Sequence, residues 1–318
     1  RRQRQMCIRD REYIVGSLTN PQKPSFRSRA LIAYLLLVRR KSVYGSLDRV
    51  LKSFRKSREQ GPARPTIKMQ KKISIELQMV DGIEVYRLAP KDDQASSKHI
   101  FYLHGGAYVW PITFLHWRFL QTLVERYGYI IIVPLYPLAP ETKCKTVIFR
   151  MLSIYKLACF NARCHAMNVM GDSAGGGLAV ALCFALTDIG YVQPTKLVLI
   201  CPWMDVTLSN ELISKTEKSD PMLSARGLRA AGMMYAGDLG TDHNYVSPIN
   251  GDPENLPPIL IFAGTRDIIH HDAINFCEKT LALGGEVQLH IGRGMIHVWP
   301  ILPIPEAKQA MDKIACFL

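Results

Sequence analysis

The chain has 318 residues, of which 48% are hydrophobic and 9% aromatic. That is enough to bury the core of one large α/β domain with insertions, and it excludes global disorder. The net charge of +13 is uneven: residues 1–72 hold 20 Lys/Arg against 4 Asp/Glu, and the remainder holds 20 against 23. A near-neutral body with one basic appendage argues against a nucleic-acid enzyme.

Residues 1–11 (RRQRQMCIRDR) carry no structural pattern and look like read-through of a sequencing adapter, so they are set aside from the fold. Ala30 to Val38 is a nine-residue apolar run flanked by Arg27, Arg29, Arg39, Arg40 and Lys41. It is far short of the ~20 residues that span a bilayer. From Ser46 onward, Leu47, Val50, Leu51 and Phe54 recur at i, i+3, i+4 and i+7 opposite Arg49, Lys52, Arg55, Lys56 and Arg58. This spacing predicts an amphipathic basic helix that packs its stripe on the protein. A weak, salt-sensitive contact with an anionic membrane surface is the minority reading.

Gly61-Pro62-Ala63-Arg64-Pro65 ends that helix and marks a boundary. Strand-like runs follow at Ile73–Val80, Ile83–Leu88, Ile100–Leu103, Ile130–Val133, Val169–Met170, Leu197–Ile200, Ile259–Phe262 and Val287–Ile291. The first two, joined by Asp81-Gly82, predict an antiparallel hairpin. From the third onward, segments long enough for helices separate most of the runs, which predicts a mostly parallel sheet covered on both faces. Eight cysteines fall at positions 7, 144, 159, 164, 183, 201, 277 and 316 without any C-x-x-C, several in apolar runs. They read as small buried hydrophobes in a reducing, cytoplasmic protein.

Gly171-Asp172-Ser173-Ala174-Gly175 lies between a short apolar strand and the apolar segment Leu178 to Leu186. It fits the G-x-S-x-G nucleophile elbow, whose glycines let a strand fold straight back into a helix and lift the serine hydroxyl clear. The Ala174 amide then sits at a helix N-terminus, where positive charge collects. His104-Gly105-Gly106-Ala107-Tyr108 ends the third strand, and its consecutive glycines suit a loop that turns bare amides towards a ligand. His104 itself reads as a structural hydrogen-bonder. An elbow of this kind calls for an acid and then a histidine further along the chain. Asp267 follows a strand and fits best, with Asp205 and Asp272 poorer. His297 follows the last strand, whereas His290 lies within it. His270-His271 suggests a solvated helix start rather than a metal site.

The motifs His104–Tyr108, Tyr136-Pro137-Leu138-Ala139-Pro140-Glu141, Gly171–Gly176, Asp220-Pro221-Met222-Leu223-Ser224, Gly264–Asp267 and Gly294–Pro300 occur in register. In that order they resemble the hormone-sensitive-lipase-like esterases of the α/β-hydrolase superfamily, over roughly residues 75–318. The resemblance implies an α/β-hydrolase fold with an eight-stranded, mostly parallel sheet and a helical cap. It implies Ser173 as nucleophile, His297 as base, Asp267 as orienting acid and an oxyanion hole from Gly105, Gly106 and Ala174. Residues 12–65 and about 203–240 would form the cap, which divides the chain into an N-terminal unit 1–65 and a catalytic domain 66–318. Ser224 would cap a helix through Ala236, and Tyr108, Met222 and Leu223 are the substrate-binding candidates, with Met222 and Leu223 otherwise ordinary cap core.

Two departures stand out. Ala107 replaces the family's third glycine, and Leu135 and Pro137 replace the charged residues of its Asp-Tyr-Arg-Leu-Ala-Pro-Glu, so no ion pair through those positions is expected. The expected activity is hydrolysis of short- to medium-chain carboxylic esters through an acyl-enzyme, without metal or organic cofactor. Lactone hydrolysis and amide deacetylation are open to the same triad. A non-catalytic small-molecule receptor on this scaffold would have lost the histidine that stands here as His297.

Overall fold

The computed structural model describes residues 19–20, 23–91, 98–162 and 167–318. The 1–11 segment, Cys7 and Cys164 lie outside the described residues. Nine strands form one sheet: β1 (Thr19–Asn20), β2 (Ser74–Val80), β3 (Ile83–Ala89), β4 (His99–Leu103), β5 (Ile130–Pro134), β6 (Met167–Asp172), β7 (Leu197–Ile200), β8 (Ile259–Gly264) and β9 (Val287–Gly292). All eight expected runs are strands. The addition is β1, a two-residue strand that pairs in parallel with the end of β9.

The strand order is β1-β9-β8-β7-β6-β4-β5-β3-β2. The β2–β3 hairpin is antiparallel, β3 also runs antiparallel to β5, and the rest of the sheet is parallel. After β4 the chain moves outward to β5 and then returns to place β6 on the other side of β4. This reversal opens a crevice at the carboxyl ends of β4 and β6, where ligands bind in open α/β sheets. Both faces of the central sheet are covered, so its inner strands are apolar on both sides: Phe101 and Leu103 of β4 enter one core, Ile100 and Tyr102 the other.

The longer helices are α1 (Phe26–Leu37), α2 (Leu47–Gln60), α3 (Phe114–Tyr127), α4 (Cys144–Ala162), α5 (Ala174–Asp188), α6 (Ala225–Ala236), α7 (His270–Ala282) and α8 (Pro305–Phe317). Ser46 caps α2 through the Arg49 amide, and Gly61 ends it. Val50 and Phe54 of its stripe are buried and Leu51 half-buried in the main core. α2 packs against α6, which belongs to the long excursion between β7 and β8. Gly227 of α6 comes so close to the Tyr44 backbone that a Cβ there would lie 2.5 Å from it. Tyr44 in turn meets Trp110 edge to face at 5.2 Å, joining the N-terminal helices to the loop after β4. No helix among the described residues is long and apolar enough to cross a membrane.

Candidate active site

The β6–α5 turn is tight enough to dictate its own sequence. A Cβ on Gly171 would lie 2.2 Å from the Gly175 carbonyl oxygen, and one on Gly175 would lie 2.0 Å from that of Leu103. Ser173 between them adopts φ 53°, ψ −122°, a sparsely populated conformation for a non-glycine residue. Its amide donates to Ile200 O and its carbonyl accepts from Trp203 N, so the end of β7 and the residues after it hold the strained residue. Ser173 is only half-buried, so its hydroxyl reaches the crevice.

His297 comes from the loop after β9 and Asp267 from the turn after β8. The Arg266 amide donates to Met295 O at 2.9 Å, tying those two loops together. His297 Nε2 lies 2.8 Å from Ser173 Oγ, and His297 Nδ1 lies 2.8 Å from Asp267 Oδ2. Nδ1 donates to the carboxylate, leaving the Nε2 lone pair facing the hydroxyl. Burial alone would push His297 down, but the charge and hydrogen bond of Asp267 outweigh it, with Asp220 and Asp172 adding to them, so its pKa rises above 6.5. Neither of the other acids considered contacts His297. Asp205 bonds Thr207 and Ser209, and Asp272 bonds Asn210.

The loop after β4 corrects the expected oxyanion hole. The Gly105 amide donates to Asp172 Oδ1 at 2.9 Å, so it is turned away from the crevice. The amides of Gly106, Ala107 and Ala174 have no acceptor among the described residues. Gly106 has φ +130°, which a side chain would strain, and Ala107 and Tyr108 follow with φ 49° and 62°. His104 holds the loop from below. Its Nδ1 donates to Gly105 O at 2.6 Å, its ring stacks on Tyr136 at 4.4 Å, and Tyr136 donates to its carbonyl. Burial and the nearby His116 push His104 down to about 4, so it stays neutral.

Asp172 is the hub of a network that the sequence did not single out. It accepts from Tyr102 Oη at 2.5 Å, from the Gly105 amide, and from His116 Nε2 at 3.3 Å. His116 Nδ1 accepts from the Thr113 amide, which fixes the proton on Nε2. Burial would raise the Asp172 carboxyl, but His116, Tyr102 and Gly105 outweigh it and hold it below the ordinary value. A second brace is Arg58 of α2, which donates to Val109 O and Ala139 O and pairs with Glu141 at 3.0 Å. It thus ties α2 to the loops after β4 and β5.

Asp220 is the third residue to emerge. It is buried and accepts from the Met222 and Leu223 amides and, at 3.0 Å, from the Ile268 amide next to Asp267. Burial and the charge of Asp267 push it up to about 6 against the pull of those amides. The Asp220-Pro221 turn is therefore an anchor of the acid loop. Leu223 is buried and Met222 half-buried, Met222 packing against both cores.

Three expectations need amending. Tyr108 has no exposed surface: its ring is stacked on Tyr235 at 3.6 Å and on Trp203 at 5.7 Å, making it a support beneath the loop. His270 is buried rather than solvated, its Nδ1 donating to the Asp267 carbonyl, and His271 meets Thr216 Oγ1 at 2.8 Å. Ser224 does precede α6, but its side chain makes no cap; Glu217 accepts the Ala225 amide instead. Among the described residues, Cys201, Asp267 and His297 have potential metal-ligand atoms within 4.8 Å of one another. Burial, and next the Asp267 charge, push the Cys201 thiol well up, so it stays protonated, and His297 and Asp267 are already bonded. That donor set does not suit a metal.

A family model described as "alpha/beta hydrolase fold" matches residues 100–301. The chain is 30% identical over 260 residues to an esterase of Acinetobacter venetianus, covering 80% of this chain and 83% of that one. It is 30% identical over 227 residues to an acetyl-hydrolase of Streptomyces hygroscopicus, covering 69% and 74%. An esterase/lipase structure from an uncultured bacterium superposes with TM-score 0.74 at 28% identity, over 85% of this chain and 89% of that one. A hormone-sensitive lipase from a metagenome library shares the fold with TM-score 0.76 at 23% identity, over 93% and 98%. With the family model spanning more than half the sequence and an esterase 30% identical over most of both chains, this chain belongs to the α/β-hydrolase family and is a carboxylic ester hydrolase.

Proposed function

We propose that the chain hydrolyses short- to medium-chain carboxylic esters through an acyl-enzyme on Ser173. The observation that carries this reading is the unbroken Ser173–His297–Asp267 hydrogen-bond chain, with both links at 2.8 Å. As Ser173 Oγ attacks the ester carbonyl, its proton passes to His297 Nε2, and Asp267 steadies the imidazolium. The carbonyl oxygen gains negative charge and takes hydrogen bonds from the amides of Gly106, Ala107 and Ala174, each worth about 3 kcal/mol in the transition state. When the tetrahedral species collapses, His297 returns the proton to the alkoxide and alcohol leaves. Water then adds to the acyl-enzyme with His297 again as base, releasing the carboxylic acid and restoring Ser173.

Substrate length is set by a cap built from α2 and the 203–240 insertion, held together by the α2–α6 contact and the close approach of Gly227 to Tyr44. Met222 and Leu223, anchored by Asp220 beside the acid loop, supply apolar wall on the acyl side. A closed cap limits chain length, unlike an open interfacial groove. A panel of p-nitrophenyl esters from acetate to palmitate tests this. Rates should peak at short to medium chains and appear on dissolved substrate. No turnover on any member would point to the binding-only receptor, and turnover that begins only with emulsion would remove the cap.

A further inference from the structure

Beyond Arg27, Ser28 and Arg29 in its first turn, α1 is apolar on every side. A helix of that kind belongs in a core or against lipid, yet α1 sits at the surface. Its inner side is well tied down: Ser28 and Ile32 are buried, and Leu31 and Leu35 pack partly into the core. Glu306 of α8 accepts from the Ser25 amide at 2.7 Å and from Ser28 Oγ at 2.6 Å. Pro24 abuts Gly294, three residues before His297, so the helix begins beside the loop that carries the base.

Among the described residues the outer side has no partner. Phe26 is 77% exposed and Leu37 82%, and Tyr34, Leu36 and Val38 are exposed with them. Arg27, Arg29, Arg39 and Arg40 are interspersed, all exposed and without an ion pair among the described residues. No Asp or Glu occurs between Lys23 and Leu47. Val50, Leu51 and Phe54 of the apolar stripe on α2 pack on the protein as expected, so most of the exposed apolar residues of the N-terminal helices lie beside unpaired arginines on α1.

We propose that this outer face of α1 lies in the headgroup layer of an anionic phospholipid membrane. Phe26, Tyr34 and Leu37 enter the acyl boundary and the four arginines bind lipid phosphates. Charge selects this occupant over a second copy of the chain. A two-fold contact would place the same patch against itself, arginine cluster facing arginine cluster. An anionic surface satisfies the arginines and the apolar side chains at once. At twelve residues the helix is too short to span, so it lies in the plane of the surface. The docking would hold the His297 loop close to the interface and favour esters delivered from the lipid phase.

The test is co-sedimentation of the full chain with vesicles of phosphatidylcholine, with or without about 30% phosphatidylglycerol. Binding should be at least ten-fold tighter with the anionic lipid, since each arginine contributes about five-fold. It should weaken in high salt but survive, because apolar insertion is not screened. Arg39→Glu with Arg40→Glu should abolish the anionic preference. Phe26→Ser with Leu37→Asp should remove the salt-resistant part while the melting temperature stays at the wild-type value. Leu37→Trp, a milder change, should give a blue-shifted emission only with anionic vesicles. Equal binding to both vesicles, unchanged binding of the Phe26/Leu37 variant, or a solution dimer that this variant dissociates would each overturn the proposal.

Discussion

The catalytic loops and the N-terminal helices solve opposite problems. Around Ser173 the buried polar groups are multiply partnered at close range: Asp172 takes three donors, His297 bonds at both nitrogens, and Asp220 takes three amides. In such a place, moving one group leaves another buried and unpaired, which is costly, so geometry is held tightly. Along α1 the reverse holds, with exposed arginines and apolar side chains free to take an external partner. The first region determines what reaction occurs, and the second where the enzyme performs it. Variants in the two should therefore fail differently.

The largest expected effect is on the triad. Ser173→Ala and His297→Ala should each lower kcat by roughly 10⁴–10⁶-fold, and the double variant by no more than either, since the members act as one unit. Additive losses measured by steady-state kinetics would separate the two residues' roles. Next comes the hub. Asp172→Ala leaves His116, Tyr102 and the Gly105 amide without their acceptor, and should cost about 3–5 kcal/mol in urea unfolding. Because the folded-state pKa of Asp172 is held below its ordinary value, this contribution is present at neutral pH and is lost as pH falls through that depressed value. A cost that persisted unchanged at low pH would show that the carboxylate charge is not what matters.

Acidity gives a subtler contrast. His297 must be neutral to act as base, so kcat/KM should rise with pH along a limb lying above the ordinary imidazole value of 6.5. Asp220→Asn removes one negative neighbour and should move that limb to lower pH, with the Met222 and Leu223 turn kept by the amide oxygen. A lowered rate with an unmoved limb would leave Asp220 as a purely structural anchor. Arg58→Met should raise KM more than it lowers kcat, by about ten-fold, by loosening the loops after β4 and β5 to which Val109 and Ala139 belong. The smallest effect is expected at Ala107, which sits at φ 49°. Glycine there should relieve up to about 1 kcal/mol of backbone strain while changing kcat by less than about three-fold.

The same contrast explains how much the sequence disclosed. Gly171 and Gly175 are readable because no other residue fits the turn, the central strands because buried parallel strands are nearly all apolar, and the β2–β3 hairpin because Asp81-Gly82 turns it. β1 was not readable: two residues, Thr19 and Asn20, become a strand only because β9 offers an edge. The oxyanion loop was read one residue too early. Two adjacent glycines look alike in sequence, and the choice between their amides is made by Asp172, 67 residues away, which claims Gly105. Arg58 and His116 were missed because each acts across elements, with no local spacing to betray it. On α2 the period predicted a stripe packed on the protein, and Val50, Leu51 and Phe54 are covered while Leu47 stays exposed. On α1 the apolar run has no such period, so nothing in it told that Ile32 would be buried and Tyr34, Leu36 and Leu37 left exposed.

The central claim, that ester hydrolysis proceeds through Ser173 activated by His297, is tested most directly by intact-mass and peptide mapping after exposure to a p-nitrophenyl phosphonate. One adduct should form, with one equivalent of p-nitrophenol released, on the peptide containing Ser173. It should be absent in Ser173→Ala and should form far more slowly in His297→Ala. An adduct on another residue, or ester turnover retained by Ser173→Ala, would contradict the account.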